Sequence, residues 1–143
     1  MFQNIVIAYD ESKEAAHALD SAISLAKCMQ AKLKIVTVVE ALPGYTNMAA
    51  IVAPQVPQEL MDERREMLQA LQASALKRAA DLGVAADAIL IDGEEVESII
   101  DAATRGKADL LILGLRRHHL LSLFGGTAHR VAEHSPCAIL AVS

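Results

Sequence analysis

The sequence predicts an α/β fold, a three-layer sandwich in which a five-stranded parallel sheet lies between two layers of helices. Three observations predict it. Short continuous runs of β-branched and other apolar residues, such as "NIVIAY" at 4–9, suit strands buried on both faces. The segments between those runs carry apolar residues at helical spacing. Strand and helix alternate along the 143 residues, so successive strands need right-handed crossovers and lie parallel.

The elements follow in order. After the first strand, "DESKEAAHALDSAISLAKCMQ" reads as a helix. Ser12 is its expected N-cap, with acidic neighbours in the first turn, and Ala15, Leu19, Ala22 and Ala26 mark its buried face. "KLKIVTVV" (32–39) is the second strand. The stretch from Glu40 to about Pro57 holds Pro, Gly and Asn without a period and reads as a long loop. A helical pattern returns from about Gln58 to Leu82, with Met61, Leu68, Leu71, Ala75 and Leu82 along one face and Gly83 as its stop. "AILI" (88–91) is the third strand. "EEVESIIDAATRG" is the third helix, with Val96, Ile99, Ile100 and Ala103 inward. "DLLILG" (109–114), "TAHRVAEH" (127–134) and "PCAILAV" (136–142) complete the series as strand, helix and strand.

Composition bounds the function. The chain is 53% hydrophobic but only 3% aromatic, so its core is built of Ala, Val, Ile and Leu. Its length suits one domain over residues 1–143, and no repeat or linker suggests a second. A formal net charge of −5 argues against general nucleic-acid binding, although a local basic patch can hold a small anion. No apolar run approaches the roughly 18 residues of a membrane span. The start "MFQNIVIAYDES" lacks the basic region of a signal peptide, so a cytoplasmic location is expected. Cys28 and Cys137 form no CxxC pair, and each is expected to pack as a small apolar residue.

In open α/β sheets ligands bind beyond the carboxyl ends of the strands. The residues there are Ala8, Tyr9 and Asp10 after the first strand, Val38 and Val39 after the second, and Leu113 and Gly114 after the fourth. The first strand–helix turn has no glycine, so the dinucleotide fingerprint fails. "RGKAD" lacks the remaining residues of a P-loop and reads as a helix end. "GLRRHHLLSLFGGTAHR" (114–130) is better placed. Gly114 closes a strand, where a missing Cβ lets a ligand approach the backbone. Gly125 and Gly126 precede Thr127, the expected N-cap of the last helix, whose free N–H groups bind anions. Arg116, Arg117, His118 and His119 add basic character. Two readings stay open at this point: a phosphate site, or a solvated basic loop that only turns a corner.

Other chemistry is not apparent. No GxSxG elbow is present. The histidines of "HRVAEH" are five apart, about 140° around a helix, and do not converge on one metal. His118-His119 reads as a solvated loop. Glu94, Glu95 and Glu97 begin a helix, where acidic residues favour the dipole and are not expected to be catalytic. Asp62 to Glu66 reads as a charged solvent face. Asp10 has two open roles, a ligand contact or a cap for the next helix, and Val38 is either ligand-lining or core.

The chain resembles the universal stress protein family over nearly its whole length. The features that carry the likeness are the opening strand ending in Asp10, the order of elements, the strand "DLLILG" and the closing "GGTAHRVAEHSPCAILAV". The resemblance implies a Rossmann-like fold of the adenine nucleotide alpha hydrolase type. The ATP-binding branch carries Gly-x-x-Gly, nine residues, then Gly-Ser or Gly-Thr. Here Gly114 matches the first glycine, while the second falls on Arg117. Gly126-Thr127 serves as the closing pair with the loop one residue short, or Gly125-Gly126 does so without the hydroxyl.

Carried over by position, the family pattern puts Asp10 beside the adenosine of ATP and Val38 in the adenine slot, with Ala8 and Leu113 as further cofactor-binding positions. Gly114 passes near the ribose and phosphates, and Gly125, Gly126 and Thr127 hold the phosphate tail. Arg117 either pairs with a phosphate or blocks its place. Asp10→Ala is expected to matter only if a nucleotide binds.

The resemblance also implies a homodimer through the last strand, around Ala138 to Val142, and an unidentified regulatory partner protein. Mg²⁺ would be held mainly by the nucleotide. No general base stands out, so any ATP hydrolysis is expected to be slow and incidental. The alternative is a family member that binds no nucleotide and acts as a dimeric interaction module. A nucleotidyl transferase of related architecture would need a histidine motif after the first strand, and none follows it.

Overall fold

The computed structural model describes residues 1–41, 51–53, 55–116 and 126–143. Five strands and four long helices alternate: β1 (Asn4–Ala8), α1 (Lys13–Met29), β2 (Lys32–Val39), α2 (Gln55–Asp81), β3 (Ala86–Asp92), α3 (Glu95–Arg105), β4 (Leu110–Gly114), α4 (Thr127–His134) and β5 (Ala138–Val142). All neighbours pair in parallel, in the order β3-β2-β1-β4-β5. The α/β sandwich with a five-stranded parallel sheet is therefore what the alternating pattern predicts.

Strand alternation sends successive side chains to opposite faces. Ile5, Ile7, Leu33, Ile35, Leu110 and Ile112 face α1 and α2, where Ala18, Leu19, Ala22, Ile23, Ala75 and Ala79 meet them. Val6, Val36, Leu111 and Leu113 face the other way, against Val96, Ile99, Ala103 and Val131 of α3 and α4. The many alanines let the helices lie close to the sheet, which is how a core without bulky aromatics stays filled.

Local signals set the ends of α1. The Ser12 hydroxyl accepts a hydrogen bond from the Ala15 amide at 3.1 Å, the N-cap expected from the sequence. At the other end Gln30 takes the left-handed conformation with φ 54°. At the end of α3 the left-handed residue is Lys107, one position after Gly106. A Cβ on Gly106 would meet the Ala102 carbonyl oxygen at 2.9 Å, so this glycine is fixed by a close approach instead. "RGKAD" is thus a helix end.

Several expectations are corrected. The long loop expected from Glu40 to Pro57 is interrupted: Ile51 and Val52 are helical, and α2 begins at Gln55. Residues 42–50 lie outside the described residues. On α2 the buried residues are Leu68, Gln72, Ala75 and Ala79, whereas Leu82 is exposed. Gln72 replaces an apolar residue there because its amide donates to the Ile89 carbonyl at 2.6 Å, so burial leaves it satisfied. Cys28 is exposed on α1 and does not pack as an apolar residue; Cys137 is partly buried. Among the described residues, no helix is long and apolar enough to cross a membrane.

Candidate functional site

The strand order places β1 and β4 side by side, Ala8 opposite Leu113. β1 continues into α1 on one face, while β4 precedes α4 on the other. Chains that part in this way open a crevice at the carboxyl ends of the strands. A cleft of about 660 Å³ lies there. Its walls include Ala8, Asp10, Val38, Leu113, Gly114, Gly126 and Thr127, which come from four separate stretches of the chain. The other two residues singled out by the sequence, Arg117 and Gly125, lie outside the described residues, as do His118 and His119.

Asp10 sits in the turn between β1 and α1. Its Oδ1 accepts the Ser12 amide at 2.9 Å, so the carboxylate builds the helix entry as well as facing the cleft. Its Oδ2 lies 3.7 Å from the Arg116 guanidinium. Of the two roles left open for Asp10, the start of the next helix is the one this hydrogen bond serves. Beside it, Glu11 pairs with Arg64 of α2 at 3.0 Å. Tyr9 donates its amide to the Val36 carbonyl at 2.8 Å, and burial pushes its phenol above the ordinary range.

Gly114 has a reason of its own. A Cβ there would lie 2.7 Å from the Ala15 amide nitrogen and 2.9 Å from the Glu14 Cβ. The close neighbour that demands glycine is the first turn of α1. Gly126 is different, since a Cβ on it would meet nothing within 4 Å. It is Gly126, with φ −65° and ψ −178°, that caps α4. Thr127, expected as the cap, is the first helical residue. Its hydroxyl donates instead to Glu95 Oε2 at 3.0 Å. The opening amides of α4 have no carbonyl of their own helix to bond, and Thr127, Ala128 and His129 line the cleft.

Glu94 and Glu95 open α3 with different environments. Glu94 is the N-cap: its carboxylate accepts the Glu97 amide at 2.8 Å, which holds its pKa below the ordinary value. Glu95 is half-buried in the cleft wall, and burial holds its pKa above the ordinary value. The Thr127 hydroxyl and, more weakly, Arg116 favour its charged form, while Glu40 and Asp10 oppose it. Sequence reasoning gave Glu95 only a dipole role and took Arg64 for a solvent-facing charge. Arg64 stands one helical turn before Leu68, the buried face of α2, and Glu95 follows the carboxyl end of β3. Those two relations are the signals that would have found them.

Among the described residues, no group of three or more His, Cys, Asp or Glu is placed to hold a metal ion. His129 instead approaches Glu133 of its own helix at 3.4 Å.

The model of the universal stress protein family matches residues 1–143. The chain belongs to that family. It is 34% identical over 150 residues to the universal stress protein YxiE of Bacillus subtilis, with 99% of each chain covered. Among solved structures it is similar to a universal stress protein of Burkholderia pseudomallei, with 30% identity, a TM-score of 0.76, and 97% of this chain and 95% of that one covered. A universal stress protein solved in complex with cAMP is 26% identical, with a TM-score of 0.74, and 99% of this chain and 97% of that one covered. In this universal stress protein, then, a family fold carries a cleft with an apolar floor of Ala8, Val38 and Leu113. Its rim holds Asp10, Arg116, Glu95 and the first turn of α4.

Proposed function

We propose that this universal stress protein binds an adenine nucleotide in the cleft as a regulatory ligand of the stress response. The observation that carries the reading is the meeting of Ala8, Asp10, Val38, Leu113, Gly114, Gly126 and Thr127 around one cleft of about 660 Å³, a size that suits a nucleotide. The likeness to a relative solved with cAMP supports adenine as the base. Ala8, Val38 and Leu113 offer an apolar slot to the purine, and Asp10 meets the ribose. The opening amides of α4 and the Arg116 guanidinium receive phosphate oxygens. When ATP is the ligand, Mg²⁺ rides on its phosphates. The protein works in the cytoplasm as a homodimer joined through β5, whose outer edge has no strand beside it among the described residues. A regulatory partner protein senses the bound state.

The rival reading, a dimeric interaction module without nucleotide, draws on two features. Gly114 is explained by packing against α1, and Glu95 places a carboxylate beside the first turn of α4. Calorimetric titration of nucleotide-free protein with AMP, cAMP and ATP·Mg²⁺, with GTP as control, separates the two. Saturable adenine-specific binding with a Kd near 1 μM, about −8 kcal/mol, supports the nucleotide reading. Silence of all the adenine ligands up to millimolar concentration supports the interaction module.

A further inference from the structure

We propose that Glu95 sets the charge of the ligand that the cleft accepts, favouring an adenine nucleotide with one phosphate over one with three. The inference rests on the nucleotide reading above and deepens it. Glu95 is the first residue of α3, and its Oε2 stands 3.0 Å from the Thr127 hydroxyl at the start of α4. That start is where phosphate oxygens would meet the opening amides of the helix. A carboxylate and a phosphate tail therefore contend for the same few ångströms.

Among the described residues, the surrounding charges relieve the conflict only in part, through Arg116. Among the described residues, the groups that act on Glu95 are Thr127 on α4, Glu40 after β2, Asp10 after β1 and Arg116 after β4, and Glu11, Arg64 and His129 line the same cleft. Arg116 lies 3.7 Å from Asp10, and Arg64 is 3.0 Å from Glu11. Among the described residues, Glu95 and Glu40 form no ion pair within 4.0 Å. Each further phosphate charge near α4 thus meets like charge in a partly desolvated wall, where repulsion is stronger than in water. A nucleoside or monophosphate avoids most of that repulsion and keeps the purine slot. Burial of Glu95 acts in the same sense: its raised proton affinity means that acidification neutralises it before an ordinary glutamate and relaxes the penalty.

The test is a titration series at one ionic strength without divalent cation: adenosine, AMP, ADP and ATP against the natural protein, Glu95→Gln and Glu95→Ala. Glutamine keeps an acceptor for Thr127; alanine removes it, so the pair separates charge from hydrogen bonding. The natural protein is expected to bind AMP more tightly than ATP. Both variants are expected to gain about tenfold for ATP while adenosine moves by less than about twofold. Mild acidification strengthens ATP binding more in the natural protein than in Glu95→Gln. Equal changes for adenosine and ATP overturn the proposal by showing a structural role. So does a natural protein that prefers ATP and gains nothing from either variant, a result that leaves the nucleotide reading standing. Failure of all four ligands with all three proteins overturns the nucleotide reading and this inference together. Comparison of each variant with the natural protein isolates Glu95 from the other charges of the cleft.

Discussion

Gly114 leaves no room for a side chain against Ala15: a Cβ on it would stand 2.7 Å from the Ala15 amide nitrogen. Neither partner is a flexible side chain, so the strand or the helix would have to move. Gly114→Ala is expected to cost about 1–3 kcal/mol in ligand-free chemical denaturation. An unchanged midpoint would show that the glycine serves a ligand and not the packing of α1.

Asp10 shapes the same turn through the Ser12 amide. Asp10→Ala is expected to lose about 1 kcal/mol of stability without ligand, and Asp10→Asn to retain most of it. Thermal unfolding of the two variants checks this. Equal losses in both would point to the charge facing Arg116, not to the turn.

Thr37 is 1% exposed, between Ile35 and Val39 on β2, and its Oγ1 has no hydrogen-bond partner among the described residues. A buried hydroxyl without a partner keeps its desolvation cost. Thr37→Val is expected to raise stability by about 1 kcal/mol. A lower midpoint in urea would mean that the hydroxyl is bonded in solution.

Glu95 gives stability a pH dependence with a definite sign. Its folded pKa lies above the unfolded value of 4.5. Between those two values the folded state holds more protons than the unfolded state, so stability falls as pH rises through that window. Glu95→Gln removes this loss. Its advantage over the natural protein is expected to be present at neutral pH and to shrink as pH falls toward 4.5. A difference independent of pH would assign the effect to packing.

Cys28 and Cys137 differ in exposure. Reaction of the native protein with a thiol reagent is expected to show one fast and one slow phase, and Cys28→Ser to remove the fast one. Two equally slow thiols would restore the expectation that both are packed.

The strands were legible because each is a run of apolar residues that suits burial between helices. β2 is found at its expected bounds, Lys32–Val39. β3 is longer than "AILI", since Asp87 and Asp92 are tolerated on an edge strand where one side meets water. The face of α2 was read correctly at Leu68 and Ala75 but missed Gln72 and Ala79, because hydropathy cannot see that Gln72 finds the Ile89 carbonyl or that Ala79 is small enough to let the helix settle. In the cleft, residues at the ends of β1, β2 and β4 could be named from topology alone. Glu95 and Arg64 could not be named from hydropathy, because their roles depend on which helix end or helix face meets the crevice.

The place of β1 in the sheet has a consequence during synthesis. One edge of β1 is met by β2, but the other waits for Leu110–Leu113, which reach Ile5–Ala8 from far along the chain. At a translation rate of about 5–20 residues per second, the nascent chain carries that open edge for roughly 5–20 s. During that interval the apolar run "IVIA" keeps one edge unpaired. Slowing elongation between β2 and β4 would lower the yield of native protein before any folded molecule existed to be destabilised.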